Sequence, residues 1–205
     1  GLGGLPAWDD VEVGAPGPGE VRLRHTVVGL NYIDTYQRSG LYQLGDMPLV
    51  LGMEAAGVVE EVGDDVTDVR TGDRVAYAMG LGSYAEERVM STDRLVPLPD
   101  DIDDQTAAAM MLKGLTTQYL VRHCYPVKPG EDVLFWAAAG GVGLLAGQWG
   151  KAIGARMIGI AGGPEKCALA RAHGYADVID RNAEGYKFWK DETTQDPKEW
   201  KRLGA

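Results

Sequence analysis

Cysteine is scarce in this chain: among 205 residues there are two, Cys124 and Cys167, far apart and with no CxxC neighbour. That argues against a disulfide framework and against a four-cysteine zinc site, and makes a reducing cytoplasm the expected compartment. Basic charge is short as well. Twenty Lys and Arg against 30 Asp and Glu leave a net charge of −10. An acidic balance of that size disfavours a nucleic-acid or anionic-membrane surface, and with it an RNA-binding side role. No apolar run reaches membrane-spanning length, and no basic n-region precedes an apolar stretch near the start. No Ser-His-Asp or Cys-His nucleophile pattern occurs, and His25, His123 and His173 stand in unrelated contexts that fit surface or packing roles. The chain opens on Gly1 and not on Met, so either its start is processed or it is a piece of something longer.

Hydrophobic content of 45% and charged content of 24% are ordinary for a globular chain, with room for one large or two small domains. Residues 1–102 read as a small antiparallel β-barrel. Val21 to His25 alternates apolar and charged residues after a Gly/Pro-rich turn, and further short runs cover 57–62, 74–78, 84–90 and 95–99. The period then changes. Residues 103–122 read as a helix with Asp103 and Asp104 as N-cap candidates and Gly114 as an interruption. Strand 132–136, a helix over about 141–153 ended by Gly154, strand 156–160, a helix opened by Pro164 and ended by Gly174, and strand 176–179 follow. On the first of those helices Val142, Leu145, Ala146, Trp149 and Ile153 share one face. This β-α-β-α-β order predicts half of a doubly wound sheet over 103–181. The polar residues 182–205, with Trp189 and Trp200 among lysines and acids, predict a loose helix or a disordered tail.

The most informative stretch is Phe135-Trp-Ala-Ala-Ala-Gly-Gly-Val-Gly143, between an apolar strand and a helix. A loop so poor in side chains lets backbone N–H groups approach a phosphate, and the helix dipole favours its charge. Ala138 stands where the first glycine of G-x-G-x-x-G would be, Gly140 at the second and Gly143 at the third. Gly140 admits the backbone to a pyrophosphate, Gly143 lets the helix pack on the strand, and alanine at 138 suits a negative φ. The other reading is a merely tight strand-to-helix turn.

Several segments occur together in one order: Asn31-Tyr-Ile-Asp-Thr-Tyr-Gln-Arg-Ser-Gly-Leu-Tyr42, Gly52-Met-Glu-Ala-Ala-Gly-Val-Val59, Gly72-Asp-Arg-Val-Ala76, Met111-Leu-Lys-Gly-Leu-Thr116 and Ala137-Ala-Ala-Gly-Gly-Val-Gly143. Together they resemble the quinone oxidoreductases (zeta-crystallin-like) of the medium-chain dehydrogenase/reductase superfamily. The resemblance covers roughly residues 8–180. It implies a GroES-like barrel beside a Rossmann domain, and metal-independent reduction of a small-molecule quinone or α,β-unsaturated carbonyl by NADPH, with a homodimer as the expected assembly. It also implies an A-x-x-G-x-x-G cofactor loop, here Ala138, Ala139, Gly140, Gly141, Val142 and Gly143.

The second Rossmann strand ends in Ala161-Gly162-Gly163, where an NAD-binding fold carries Asp or Glu. Without that carboxylate there is room for a 2′-phosphate, and the resemblance puts a phosphate-binding lysine at Lys166. Lys166 also reads as an ordinary solvated lysine. Arg181 stands where the family often has tyrosine, and it is either a bidentate phosphate partner or a surface charge. Zinc-dependent relatives have histidine where Met53 stands, and a thioether is a poor zinc ligand, so a zinc-free chain is expected. By resemblance Asn31, Tyr36 and Thr116 line the cleft between domains, Asn31 holding an amide or a carbonyl and Tyr36 donating to a developing enolate. Each has a plainer reading: a turn cap for Asn31, amphipathic packing for Tyr36, back-bonding within its helix for Thr116. Asp34, Glu54 and Lys113 are lesser polar candidates. Against the family pattern, the opening strand is missing and residues 182–205 do not match the next segment. A three-stranded half sheet with an uncovered face then predicts marginal stability, pairing with another chain, or a noncatalytic nucleotide-binding or structural remnant.

Overall fold

Alternating apolar residues set the first sheet. β1 (Glu20–Val28), β2 (Glu54–Val62), β3 (Arg74–Ala78), β4 (Glu87–Ser91) and β5 (Val96–Pro97) pair antiparallel in the order β4-β1-β2-β3-β5. The computed structural model describes residues 7–42, 44, 45, 48–188, 190 and 194–203, which fall into two units dividing between Leu115 and Thr116. Val21, Leu23, Ala55, Val59, Val75, Tyr77 and Met90 form the core on one face of the sheet. The expected closed barrel is not found among the described residues. Closure would require the edges β4 and β5 to pair, but β5 is two residues long and its Pro97 has no N–H to donate.

Within the stretch read as all β lies a helix, α1 (Tyr32–Ser39). Asn31 is its N-cap residue, Asp34 an acid in the first turn, and Gly40 ends it at φ +76°, where glycine costs least. α2 (Asp104–Tyr119) continues into a π-helical stretch, Leu120–Cys124. Ala107 and Ala108 of α2 meet Ala56 and Ala76 on the second face of the sheet. Methyl-sized side chains on both sides bring the helix backbone close. A Cβ on Gly29 would stand 2.6 Å from the Ala108 carbonyl oxygen.

In the second unit β6 (Asp132–Trp136), α3 (Gly141–Ile153), β7 (Arg156–Ala161), α4 (Pro164–Ala172) and β8 (Asp177–Asp180) follow the expected order. The strands run parallel as β6-β7-β8. The inner face of α3 differs from the expected apolar stripe: it is Gly143, Ala146, Gly147 and Gly150 that are buried, with Trp149 and Ile153 at the margin. A glycine stripe lets the helix axis approach the sheet more closely than a leucine stripe could.

Of the two readings of residues 182–205, a loose helix or a disordered tail, the described residues include a short helix. α5 (Pro197–Leu203) forms, and Phe188 is 4% exposed. The Trp136 ring lies 5.0 Å from that of Phe188 and 5.2 Å from that of Trp200, and Tyr186 stacks on Phe188. Phe135 packs into the α3–α4 core, so the pleat turns Trp136 to the opposite face. The tail thus covers part of the face expected to be bare, although Leu134 remains 53% exposed. Trp189 lies outside the described residues.

Candidate functional site

The turn from β6 into α3 carries the phosphate-cradle candidates. Ala137 takes the left-handed conformation at φ +56°, and its carbonyl accepts from Gly140 N–H at 2.8 Å. Ala138 is fully buried, and its N–H reaches the Ile160 carbonyl at 3.0 Å, tying the turn to β7. Gly140 then serves as N-cap of α3. The first N–H groups of the helix, from Gly141 through Gly143, have no preceding turn to bond to and point along the axis toward any anion held there. A Cβ on Gly143 would overlap the Ala137 carbonyl oxygen and stand 2.7 Å from that of Ala138. Gly143 is thus where α3 packs against the turn's own backbone, and it is the N–H groups of the first helical turn that a diphosphate would meet.

Tyr175, which the local sequence pattern does not mark, fixes this turn from behind. Its hydroxyl donates to the Gly143 carbonyl at 2.7 Å, and its ring lies where a Cβ on Gly147 or Gly159 would be. Burial raises its phenol well above the ordinary tyrosine value.

Gly162 follows β7, and Arg181 follows β8. Their closeness is shown by a Cβ on Gly162 falling 2.9 Å from Arg181 Nε. Lys166 is exposed on α4. A carboxylate does reach this end of the sheet, but from β8: Asp180 Oδ1 accepts from Gly163 N–H at 2.8 Å and from Asn182 N–H at 2.9 Å. The bond from Gly163, with those from Asn182 and Ala183, holds the Asp180 carboxyl below the usual carboxylate range. A depressed folded-state pKa gives stability that is present above the unfolded value, near ~4, and is lost as pH falls through the folded one. Asp180→Asn should therefore flatten the acid limb of the unfolding curve below about pH 4 while leaving neutral stability less affected. An unchanged acid limb in urea melts would show that Asp180 does not hold the α4 entry.

The first unit contains a buried polar cluster around Glu54. Glu54 is fully buried, and its Oε1 accepts from Asn31 Nδ2 at 2.7 Å and Lys113 Nζ at 2.6 Å. Its Oε2 accepts from Leu112 N–H at 2.6 Å. Asp34 Oδ2 accepts from Asn31 N–H at 2.8 Å and from the Tyr84 hydroxyl at 2.6 Å. Burial, with the Asp34 hydrogen bond, pushes the Tyr84 phenol up. Met53 is buried, and its sulfur accepts from Gln37 Nε2 at 3.5 Å. His25 is a packing residue, with Nδ1 against the Ala85 carbonyl and Nε2 against the Tyr77 hydroxyl.

Among the expected site residues, Asn31 thus joins Asp34, Glu54 and Lys113 in one cluster, in which Glu54 is the centre and not a lesser member. Tyr36 packs its ring against Tyr32 and Tyr42, at 5.3 and 5.4 Å between centroids. Thr116 opens the second unit, and its neighbour Thr117 is buried with its hydroxyl 3.3 Å from the Val142 carbonyl.

Residues 17–100 match the alcohol dehydrogenase GroES-like domain. A quinone oxidoreductase of Pseudomonas aeruginosa is 56% identical over 178 residues, covering 86% of this chain and 55% of that protein. The solved structure of Escherichia coli quinone oxidoreductase complexed with NADPH is similar at 44% identity and a TM-score of 0.83, over 85% of this chain and 54% of that one. A crotonyl-CoA reductase of Streptomyces avermitilis is 34% identical over 243 aligned positions, covering 96% of this chain and 55% of that protein. The chain spans about half the length of the curated relatives it matches.

Proposed function

Since this chain belongs to the quinone oxidoreductases of the medium-chain dehydrogenase/reductase superfamily, we propose that it serves the NADPH-dependent reduction of a quinone or another α,β-unsaturated carbonyl, without a metal. The observation that carries this reading is the bare turn Ala137–Gly143 at the start of α3, whose backbone donors at the helix N-terminus are not screened by side chains at Gly140 and Gly141. NADPH, when bound, supplies the hydride. Ala138, Ala139, Gly140, Gly141, Val142 and Gly143 cradle its diphosphate, while Gly162, Lys166 and Arg181 receive the 2′-phosphate. Asn31, Tyr36 and Thr116 are the polar groups assigned to the nicotinamide and the substrate. Residues 1–102 act as the catalytic domain and 103–181 as the nucleotide-binding one, in a cytoplasmic homodimer, whose oligomeric state sedimentation would test.

The direct experiment follows nicotinamide absorbance with purified chain, NADPH and a panel of quinones. Quinone-dependent loss of NADPH that Gly140→Asp abolishes supports the enzyme. Nucleotide-protected melting without turnover supports the binding remnant instead. Lys166→Glu should weaken NADPH by at least about tenfold and NADH far less, because only NADPH carries the phosphate dianion that the new carboxylate repels. Equal losses for both nucleotides would reject the 2′-phosphate role.

A second reading comes from the crotonyl-CoA reductase of Streptomyces avermitilis, which matches 96% of the chain at 34% identity. The acceptor would then be a 2-enoyl thioester, itself an α,β-unsaturated carbonyl. A kcat/KM for crotonyl-CoA above that for any quinone in the panel would favour it.

A further inference from the structure

Trp136 is the last residue of β6 and stands directly before Ala137, whose positive φ opens the glycine turn. A non-glycine residue in that conformation is strained and persists only where its neighbours hold it. On the far side Ala138 N–H supplies a hold through the Ile160 carbonyl at 3.0 Å. On the near side the backbone has less to offer. β6 is the end strand of its sheet, paired with β7 and, among the described residues, with nothing on its other edge. What remains is the Trp136 side chain, whose ring meets Phe188 edge-on at 5.0 Å and Trp200 at 5.2 Å. Those two rings lie 4.6 Å apart and brace each other, Tyr186 stacks on Phe188, and the Arg202 guanidinium lies 4.2 Å from the centre of the Tyr186 ring. The same segment is tied to the end of β8: Glu184 N–H donates to the Asp180 carbonyl at 2.9 Å and Tyr186 N–H to that of Arg181 at 3.0 Å. Because the strands are parallel, β6 and β8 end at one edge of the sheet.

We infer that the tail aromatics Tyr186, Phe188 and Trp200 form a clasp that holds the Ala137–Gly143 turn in its anion-binding shape, with Phe188 and Trp200 as positioning residues that act through Trp136. Its effect on the cofactor rests on the NADPH reading above, whereas the hold on the turn does not. The tail is then more than cover for an apolar face. Cover alone would spread its contacts along β6, yet Leu134, on the same face of the strand, stays 53% exposed while the rings gather on Trp136. The contacts concentrate at the one residue of β6 that adjoins the strained turn.

Amide exchange followed by NMR on the whole chain tests the hold directly. In Phe188→Ala the N–H groups of Ala138 and Gly140, bonded to the Ile160 and Ala137 carbonyls, should lose about tenfold in protection, the upper range for loss of an aromatic pair. Arg156 N–H, bonded to the Glu131 carbonyl at 2.8 Å at the opposite end of the sheet, should keep its own. Phe188→Leu retains most of the apolar volume and should restore most of the protection. NADPH titrations should show Phe188→Ala weakening binding by about tenfold and Phe188→Leu by far less. Equal loss of protection at Arg156 and at the turn would mean that the tail only stabilises the unit as a whole, and unchanged protection at Ala138 and Gly140 would mean that it does not reach the turn. Either result overturns the proposal, as does a loosened turn that binds NADPH as tightly as before. If no form, wild type included, binds NADPH while the turn still responds to Phe188→Ala, the proposed function falls and the clasp stands. Should Phe188→Ala not fold, Trp200→Ala gives the same comparison from a ring that is 37% exposed.

Discussion

Gly143→Ala should unfold or grossly loosen the second unit and abolish nucleotide binding, although it adds one methyl group. The added carbon would overlap the Ala137 carbonyl oxygen and stand 2.7 and 2.8 Å from the carbonyl oxygen and carbon of Ala138. Those are backbone atoms in a turn already held at positive φ at Ala137 and bonded to β7 through Ala138 N–H. Neither side can yield without moving α3 off the sheet, which would also cost the Tyr175 bond to Gly143. A loss of roughly 3 kcal/mol is the upper range for such overpacking, and is a large part of the stability of a small domain. Gly114→Ala is the control. Its added carbon would touch only Met110 Cε at 3.4 Å, the end of a flexible side chain, within α2. It should be neutral or raise stability by up to about 1 kcal/mol through helix propensity. Thermal melts of the two variants, with nicotinamide fluorescence as the binding readout, separate these outcomes. A Gly143→Ala protein with unaltered melting and NADPH uptake would show that the turn is not a close-packed cradle.

That glycine was legible in the sequence because its signal is local. The same holds for the whole of β6 to β8, where Gly154, Pro164 and Gly174 punctuate apolar runs at the lengths a parallel unit needs. α1 was not legible. It is eight residues long, the helically spaced Tyr32, Ile33 and Tyr36 do not form its buried face, and that face consists of Asp34 and Gln37. Polar residues on the inner face make sense only once Asn31, Tyr84 and Met53 are in place around them. The tail hid for a related reason: Tyr186, Phe188 and Trp200 are interspersed with lysines and acids, and their partner Trp136 lies about fifty residues earlier. Barrel closure depends on edge strands finding each other, which strand periodicity does not encode. At the site, Asp180 and Tyr175 act on turns 17 and 32 residues away, so local spacing could not mark them. Glu54 stood among the candidates by residue type, but its central place came only from three donors converging on it.

Lys113→Met should be strongly destabilising to the first unit. It leaves a fully buried carboxyl group whose remaining donors among the described residues are the Asn31 amide and the Leu112 N–H, with the Lys113 cation gone. Removing one partner of a buried pair costs about 3–5 kcal/mol, and the partial exposure of Lys113 places the expected loss toward ~3 kcal/mol. The double variant Glu54→Gln with Lys113→Met tests whether charge or shape is responsible. Both replacements are close in size to the originals and neutral, so no charge is stranded, and the double should recover most of what Lys113→Met loses. Urea melts of the four proteins give the coupling directly. If the double variant is as unstable as the sum of the singles, the loss comes from packing along α2. If it recovers, the first unit tolerates an apolar group at 113, and the ammonium is needed there as the partner of the Glu54 carboxyl group.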